Sequence, residues 1–140
     1  MSRLTLCSGC FASITYNHIR YLEAAAFLDP HGKVWVAIAS GKIIRELKNH
    51  DAIPDQFRAQ MLCALPFVNG VILQQEPTPE LIIRKLRPAM WIKGGDYNVD
   101  ELARLPEGLA VKECGGHVVC TSRFGGPSTT ELLLCNESGK

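Results

Sequence analysis

The chain has 140 residues, 46% of them hydrophobic and 21% charged, which fits one globular domain with a buried core. Fifteen Lys and Arg against fourteen Asp and Glu leave a formal net charge of +1, so no bulk electrostatic case exists for nucleic acid or an anionic membrane. No apolar run approaches a membrane span and the N-terminus lacks a signal-peptide core, so a cytoplasmic location is expected.

Leu4-Thr5-Leu6-Cys7 reads as a short apolar strand leading into Gly9. After a turn of small and polar residues, an amphipathic helix is expected from Asn17 or His18, with Ile19, Leu22, Ala25 and Ala26 on its apolar face. Asp29-Pro30-His31-Gly32 ends it. Val34 to Ala39 is a continuous apolar run without alternation, the pattern of a parallel strand covered on both faces. The first 39 residues therefore form a strand–helix–strand unit. A strand, a glycine turn and a helix N-terminus carrying His18 suit a phosphate-bearing ligand, since free backbone N–H groups and the helix dipole point at the turn.

Ser40 to Lys48 is a short helix or mobile loop carrying Lys42, Arg45 and Lys48. Asp55 is expected to cap a helix from Gln56 to Leu65 with Met61, Leu62 and Leu65 inward. Val68 to Leu73 gives a strand. Thr78-Pro79-Glu80 opens a helix running to Leu86, with Thr78 as cap and Pro79 in first position. Met90 to Lys93 is a fourth strand ending at Gly94-Gly95-Asp96-Tyr97, and a polar helix covers Val99 to Leu105. Ala110-Val111 and His117 to Cys120 read as a last strand or pair. Ser128-Thr129-Thr130-Glu131 starts a terminal helix after the loop Arg123 to Pro127.

Strands alternating with helices give an α/β fold, a Rossmann-like doubly wound sheet of about five parallel strands. Ligands of such sheets sit beyond the carboxyl ends of the strands. The turn after Cys7, the segment Lys93 to Asp96 and the loop before Ser128 should share that rim. Six cysteines (7, 10, 63, 114, 120 and 135) include one C-x-x-C but no second pair to complete a zinc site, so most are expected to be buried thiols.

On that rim, three motifs carry a resemblance. Gly9-Cys10-Phe11 followed by Thr15-x-x-His18 resembles the G-x-F-D-x-x-(H/T)-x-G-H motif of cytidylyltransferase-like nucleotidyltransferases. Trp91 to Tyr97 resembles the V-K-G-G-D-Y segment of bacterial heptose 1-phosphate adenylyltransferase domains, and Arg123 to Thr130 is similar to the R-x-x-G-x-S-T-T signature of glycerol-3-phosphate cytidylyltransferase. Arg58 followed by Leu62 and Leu65 fits the family's helix before the third strand. Ala12 stands where the family carries Asp, and Asn17 where it carries Gly.

The resemblance implies one nucleotidyltransferase-like domain over residues 1–140. It implies transfer of AMP from ATP to a sugar 1-phosphate or similar phosphorylated metabolite, by direct in-line attack on the α-phosphate with release of pyrophosphate. The alternatives are transfer of CMP from CTP to a polyol phosphate, or a catalytically degenerate nucleotide-binding protein of the same fold. It further implies that His18, Thr15 and Arg123 serve the chemistry. Gly9, Cys10, Phe11, Lys93, Gly94 and Asp96 then join His18 and Arg123 in holding the nucleotide, with Ser128, Thr129 and Thr130 as a second phosphate cradle. Lys42 or Lys48 would meet the substrate phosphate or the leaving pyrophosphate. Magnesium would enter bound through the nucleotide phosphates, with no protein metal ligand, and a homodimer is an expectation of the same kind.

Simpler readings stand beside these. Ser128 and Glu131 form a capping-box pattern by themselves, and Lys42, Arg45 and Lys48 form a solvated face. Trp35 and Trp91 read as core, and His31, His50 and His117 carry no assigned role.

Overall fold

The computed structural model describes residues 3–95 and 97–121. The strands are β1 (Leu4–Gly9), β2 (Lys33–Ala39), β3 (Gly70–Gln74), β4 (Met90–Gly94) and β5 (His117–Thr121). They form one sheet in the order β3-β2-β1-β4-β5, and every pairing is parallel. The helices are α1 (Tyr16–Leu28), α2 (Gly41–Lys48), α3 (Asp55–Cys63), α4 (Glu80–Leu86), α5 (Val99–Arg104) and α6 (Pro106–Glu113). This is the Rossmann-like α/β sheet expected from the sequence.

Neighbouring residues of each strand point to opposite faces. Cys7, Val36 and Ile92 pack on one face with Leu22 and Ala25 of α1 and Leu62 of α3. Leu6, Ala37 and Trp91 pack on the other with Ile83 of α4, Leu102 of α5, and Ala110 and Val111 of α6. Both faces are covered, which is why β2 reads as an unbroken apolar run.

Several local expectations are corrected. Ala110-Val111 belongs to helix α6, whose buried face packs on the sheet; an apolar pair cannot by itself distinguish strand from helix. Asp55 is the first residue of α3 rather than its cap, and its carboxylate accepts the Gly41 N–H at 2.8 Å. Pro79, not Thr78, holds the cap position of α4. Of the two readings of Ser40 to Lys48 the helix holds, as Gly41–Lys48, capped by the Ser40 hydroxyl, which accepts from Ile43 N–H at 3.2 Å. β3 begins at Gly70 rather than Val68, and the Trp35 indole lies where a side chain at Gly70 would project. Ile19 and Met61 are exposed, and Tyr21 takes the inward place on α1. Among the five described cysteines only Cys7 is fully buried, and Cys63 is exposed.

Candidate active site

In a doubly wound parallel sheet the binding crevice opens where the strand order reverses. Here that is between β1 and β4: the chain leaves β1 through α1 toward β2, and returns from β3 through α4 to β4 on the far side. Cys7 pairs with Ile92, so Gly9 and Gly94 end adjacent strands at one rim. The turn from Cys10 to Thr15 and the segment Lys93-Gly94-Gly95 therefore flank the same crevice.

The turn is held by its own side chains. Phe11 is in the left-handed region (φ 49°) and its ring, 1% exposed, folds back over Gly9. A Cβ on Gly9 would lie 2.9 Å from that ring, so glycine is required for contact rather than for φ. The Phe11 ring also meets His18, with centroids 4.6 Å apart and the planes tilted by 40°. Thr15 caps α1 in a reciprocal box with His18. The Thr15 hydroxyl accepts from the His18 backbone N–H at 3.5 Å, and the His18 ring Nδ1 accepts the Thr15 backbone N–H at 3.1 Å. An imidazole whose Nδ1 is an acceptor carries its proton on Nε2 when neutral. Burial pushes the His18 imidazole below its ordinary value, opposed by a smaller effect of a hydrogen bond with the Ser13 backbone. With Nδ1 accepting the Thr15 N–H, the neutral ring carries its proton on Nε2, a donor at the positive end of a helix dipole.

A fully buried arginine lies beneath the turn. Arg58 Nη1 donates to the carbonyls of Cys10 (3.1 Å), Phe11 (3.4 Å) and Ala39 (2.8 Å), and Nε donates to Ile53 (2.6 Å). Nη2 pairs with the Asp55 carboxylate. Across the crevice, the Trp91 indole N–H donates to Ser8 Oγ at 2.8 Å, tying β4 to β1. The Tyr21 hydroxyl donates to the Ile92 carbonyl, and its ring packs where a Gly94 side chain would project. Burial pushes the Cys7 thiol up to about 12 and holds Tyr21 well above its ordinary value, so neither titrates near neutrality.

Gly9, Phe11, Thr15 and His18 are in one contact group, with Lys93 and Gly94 on the neighbouring strand end. The Phe11 ring faces inward, and Cys10 packs against the cluster of Ala12, Ala39, Ile43 and Ile44. Ala12 is therefore an apolar contact with α2. Asn17 is the second residue of α1 and has no positive φ, so the backbone there does not need glycine. Lys93 is half-buried, with its ammonium 5.4 Å from the centroid of the Tyr97 ring, and Gly95 turns the chain at φ 113°. Lys42 stands in the first turn of α2 at the rim, whereas Lys48 is six residues on, ~9 Å along the helix axis. Asp96, Arg123, Ser128, Thr129 and Thr130 lie outside the described residues, as do Cys135 and the segment expected to form a terminal helix. Among the described residues no group of three or more His, Cys, Asp or Glu is placed to hold a metal, and no helix is long and apolar enough to cross a membrane.

Sequence reading missed the structural weight of Arg58, Tyr21 and Ser8. The signal for Arg58 was present: it shares the helical face of Leu62 and Leu65, and a charged group on an apolar face needs buried partners. Nothing local marked Ser8, whose partner is 83 residues away.

The pattern of the cytidylyltransferase-like family matches residues 6–120, which include every element of this crevice from β1 to most of β5. The chain belongs to the cytidylyltransferase-like family. Similar to it are proteins named bifunctional protein HldE. That of Koribacter versatilis is 37% identical over 134 residues, covering 94% of this chain and 26% of the relative. That of Streptomyces coelicolor is 36% identical over 127 residues, covering 89% and 26%. The chain thus spans about a quarter of the length of these relatives. A crystal structure of a lipopolysaccharide core biosynthesis protein from Thermoplasma volcanium has the same fold, with TM-score 0.72 at 20% identity, over 87% of this chain and 98% of that one. Gly9 to His18, the stretch that resembles the family's glycine-to-histidine motif, is held by the Phe11 contact and the capping box.

Proposed function

We infer that the protein is a nucleotidyltransferase that moves AMP from ATP to a sugar 1-phosphate or similar phosphorylated metabolite, releasing pyrophosphate. The observation that carries this reading is the Thr15–His18 box, which holds an imidazole in the first turn of a 13-residue helix that starts from the switch-point rim. The relatives are named as bifunctional, and a chain spanning about a quarter of them fits one of their two activities. The adenylyl preference rests on the resemblance of Trp91 to Tyr97 to heptose 1-phosphate adenylyltransferase domains.

The chemistry asks little covalent work of the protein. An acceptor phosphate oxygen attacks the α-phosphorus, the bond to the β-phosphate oxygen breaks, and pyrophosphate leaves with the electron pair. His18 Nε2–H donates to an α-phosphate oxygen as charge builds there, and the Thr15 backbone N–H keeps the ring oriented. Lys42 contributes a cation on the acceptor or pyrophosphate side. Arg123 and the Ser128 to Thr130 segment are assigned to the triphosphate on their motif. Magnesium, when bound, neutralises triphosphate charge; with Ala12 in the family's Asp position the turn offers it no carboxylate, so phosphate oxygens and water are its fitting ligands.

The test is pyrophosphate release from ATP or CTP, with magnesium, across a panel of sugar 1-phosphates and polyol phosphates. Release with ATP and a sugar 1-phosphate is expected. Release only with CTP and a polyol phosphate replaces the substrate assignment. Nucleotide binding without release from any pair, unaffected by His18→Ala, favours a non-catalytic nucleotide binder.

A further inference from the structure

Arg58 is 0% exposed, yet it carries a full positive charge and sits on α3, outside the nucleotide motifs. Its acceptors belong to the turn after β1 (Cys10, Phe11), the end of β2 (Ala39) and the loop before α3 (Ile53). The carboxylate that pairs with it, Asp55, also accepts the Gly41 N–H that opens α2. One guanidinium thus joins the segments at which two phosphate groups are placed by the functional reading above.

The consequence for the turn follows from peptide geometry. In a trans peptide the carbonyl of one residue and the N–H of the next point in opposite directions. The Cys10 and Phe11 carbonyls both converge on Arg58 Nη1, so the N–H groups of Phe11 and Ala12 both point away from it. Consecutive N–H groups turned to one side, around a left-handed residue such as Phe11, are how backbone receives an anion. We propose that Arg58 is a positioning residue: it holds the Cys10–Phe11 peptides so that their amides face the nucleotide phosphates. It also sets the Phe11 ring against His18. Resting on the nucleotidyltransferase reading, the assignment gives Arg58 a part in nucleotide binding and turnover without contact to substrate. An apolar side chain filling the same space would leave four backbone carbonyls without this donor.

The test uses the full chain and compares Arg58→Lys with Leu62→Ala, a fully buried apolar substitution one turn along the same helix that makes no hydrogen bond to the turn. Pyrophosphate release is measured with nucleotide and acceptor varied separately, well below each variant's melting temperature. Arg58→Lys keeps the charge and loses the fork, and kcat/KM for nucleotide should fall on the order of 10- to 100-fold while the acceptor KM stays put. Leu62→Ala should melt earlier and keep its nucleotide kcat/KM. Asp55→Ala, at a half-exposed site, covers the case in which Arg58→Lys fails to fold; it should raise the nucleotide KM about three- to tenfold by loosening the guanidinium. An Arg58→Lys enzyme with wild-type nucleotide kinetics, or a Leu62→Ala enzyme that loses as much, overturns the inference. If Arg58→Lys does not fold, wild-type kinetics in Asp55→Ala overturn it. Wild-type protein that neither binds nucleotide nor releases pyrophosphate overturns the functional reading, and the role of Arg58 with it.

Discussion

Replacing His18 with Asn separates the two tasks of its ring. The amide oxygen of Asn lies near the position of Nδ1, so it continues to accept the Thr15 backbone N–H now held at 3.1 Å. An N-terminal cap contributes about 1 kcal/mol, and with the cap retained the loss of stability should stay below that. No atom of Asn reaches the place of Nε2, so the phosphate donor is gone. Losing one donor to a developing anion costs about 2.7–4 kcal/mol, roughly 10²–10³ in kcat. His18→Gln inverts the trade: its amide nitrogen approaches the Nε2 position but no group remains near Nδ1. It should regain part of the rate and lose about 1 kcal/mol of stability. Urea unfolding reads the first quantity and pyrophosphate release the second. A His18→Asn enzyme turning over at the wild-type rate would refute the donor role of Nε2, whatever its stability.

The pH dependence follows from the same geometry. Burial places the folded His18 below 6.5, so the unfolded chain takes up its proton first; the stability this contributes is complete above pH 6.5 and lost as pH falls through the lower folded value. The rate should fall over the same window, because a proton on Nδ1 displaces the Thr15 N–H; a rate that rises on acidification contradicts this. Ser8→Ala leaves the buried Trp91 indole N–H without its acceptor and should cost about 1–3 kcal/mol in urea unfolding, with a change in Trp91 fluorescence. Gly9→Ala drives a Cβ to 2.9 Å from the Phe11 ring and should destabilise by about 1–3 kcal/mol in thermal melts, with activity lowered as the ring shifts from His18. Mildly alkaline iodoacetamide should modify exposed Cys63 long before Cys7, whose thiol is buried and pushed up to about 12; mass mapping of the folded protein checks the order.

Fold class and the place of the candidate site were legible because both rest on local patterns. The unbroken run Val34 to Ala39 fits a strand between two helical layers, and Gly9 through His18 encodes a strand end, a turn and a helix start within ten residues. The Thr15–His18 box is not part of that local record: the sequence reading starts the helix at Asn17 or His18, and only the structure shows it beginning at Tyr16 with Thr15 as its cap. The five-strand parallel sheet follows from the alternation of such segments.

Only the tertiary structure decided what supports the turn. Arg58 is 47 residues from Phe11 and Ser8 is 83 from Trp91; a chain carries no local record of which distant carbonyl or indole a polar group will meet. The same limit explains Ala110-Val111, whose helical state is set by packing against the sheet, and Asp55, which serves Gly41 and Arg58 rather than its own helix end. Ala12 and Asn17 show both sides. The sequence marks them as departures from the family pattern, and the fold shows that one fills an apolar contact with α2 while the other lies in helical backbone that any residue can adopt. Local chemistry chose the elements and the candidate donor; long-range packing chose the groups that hold that donor in place.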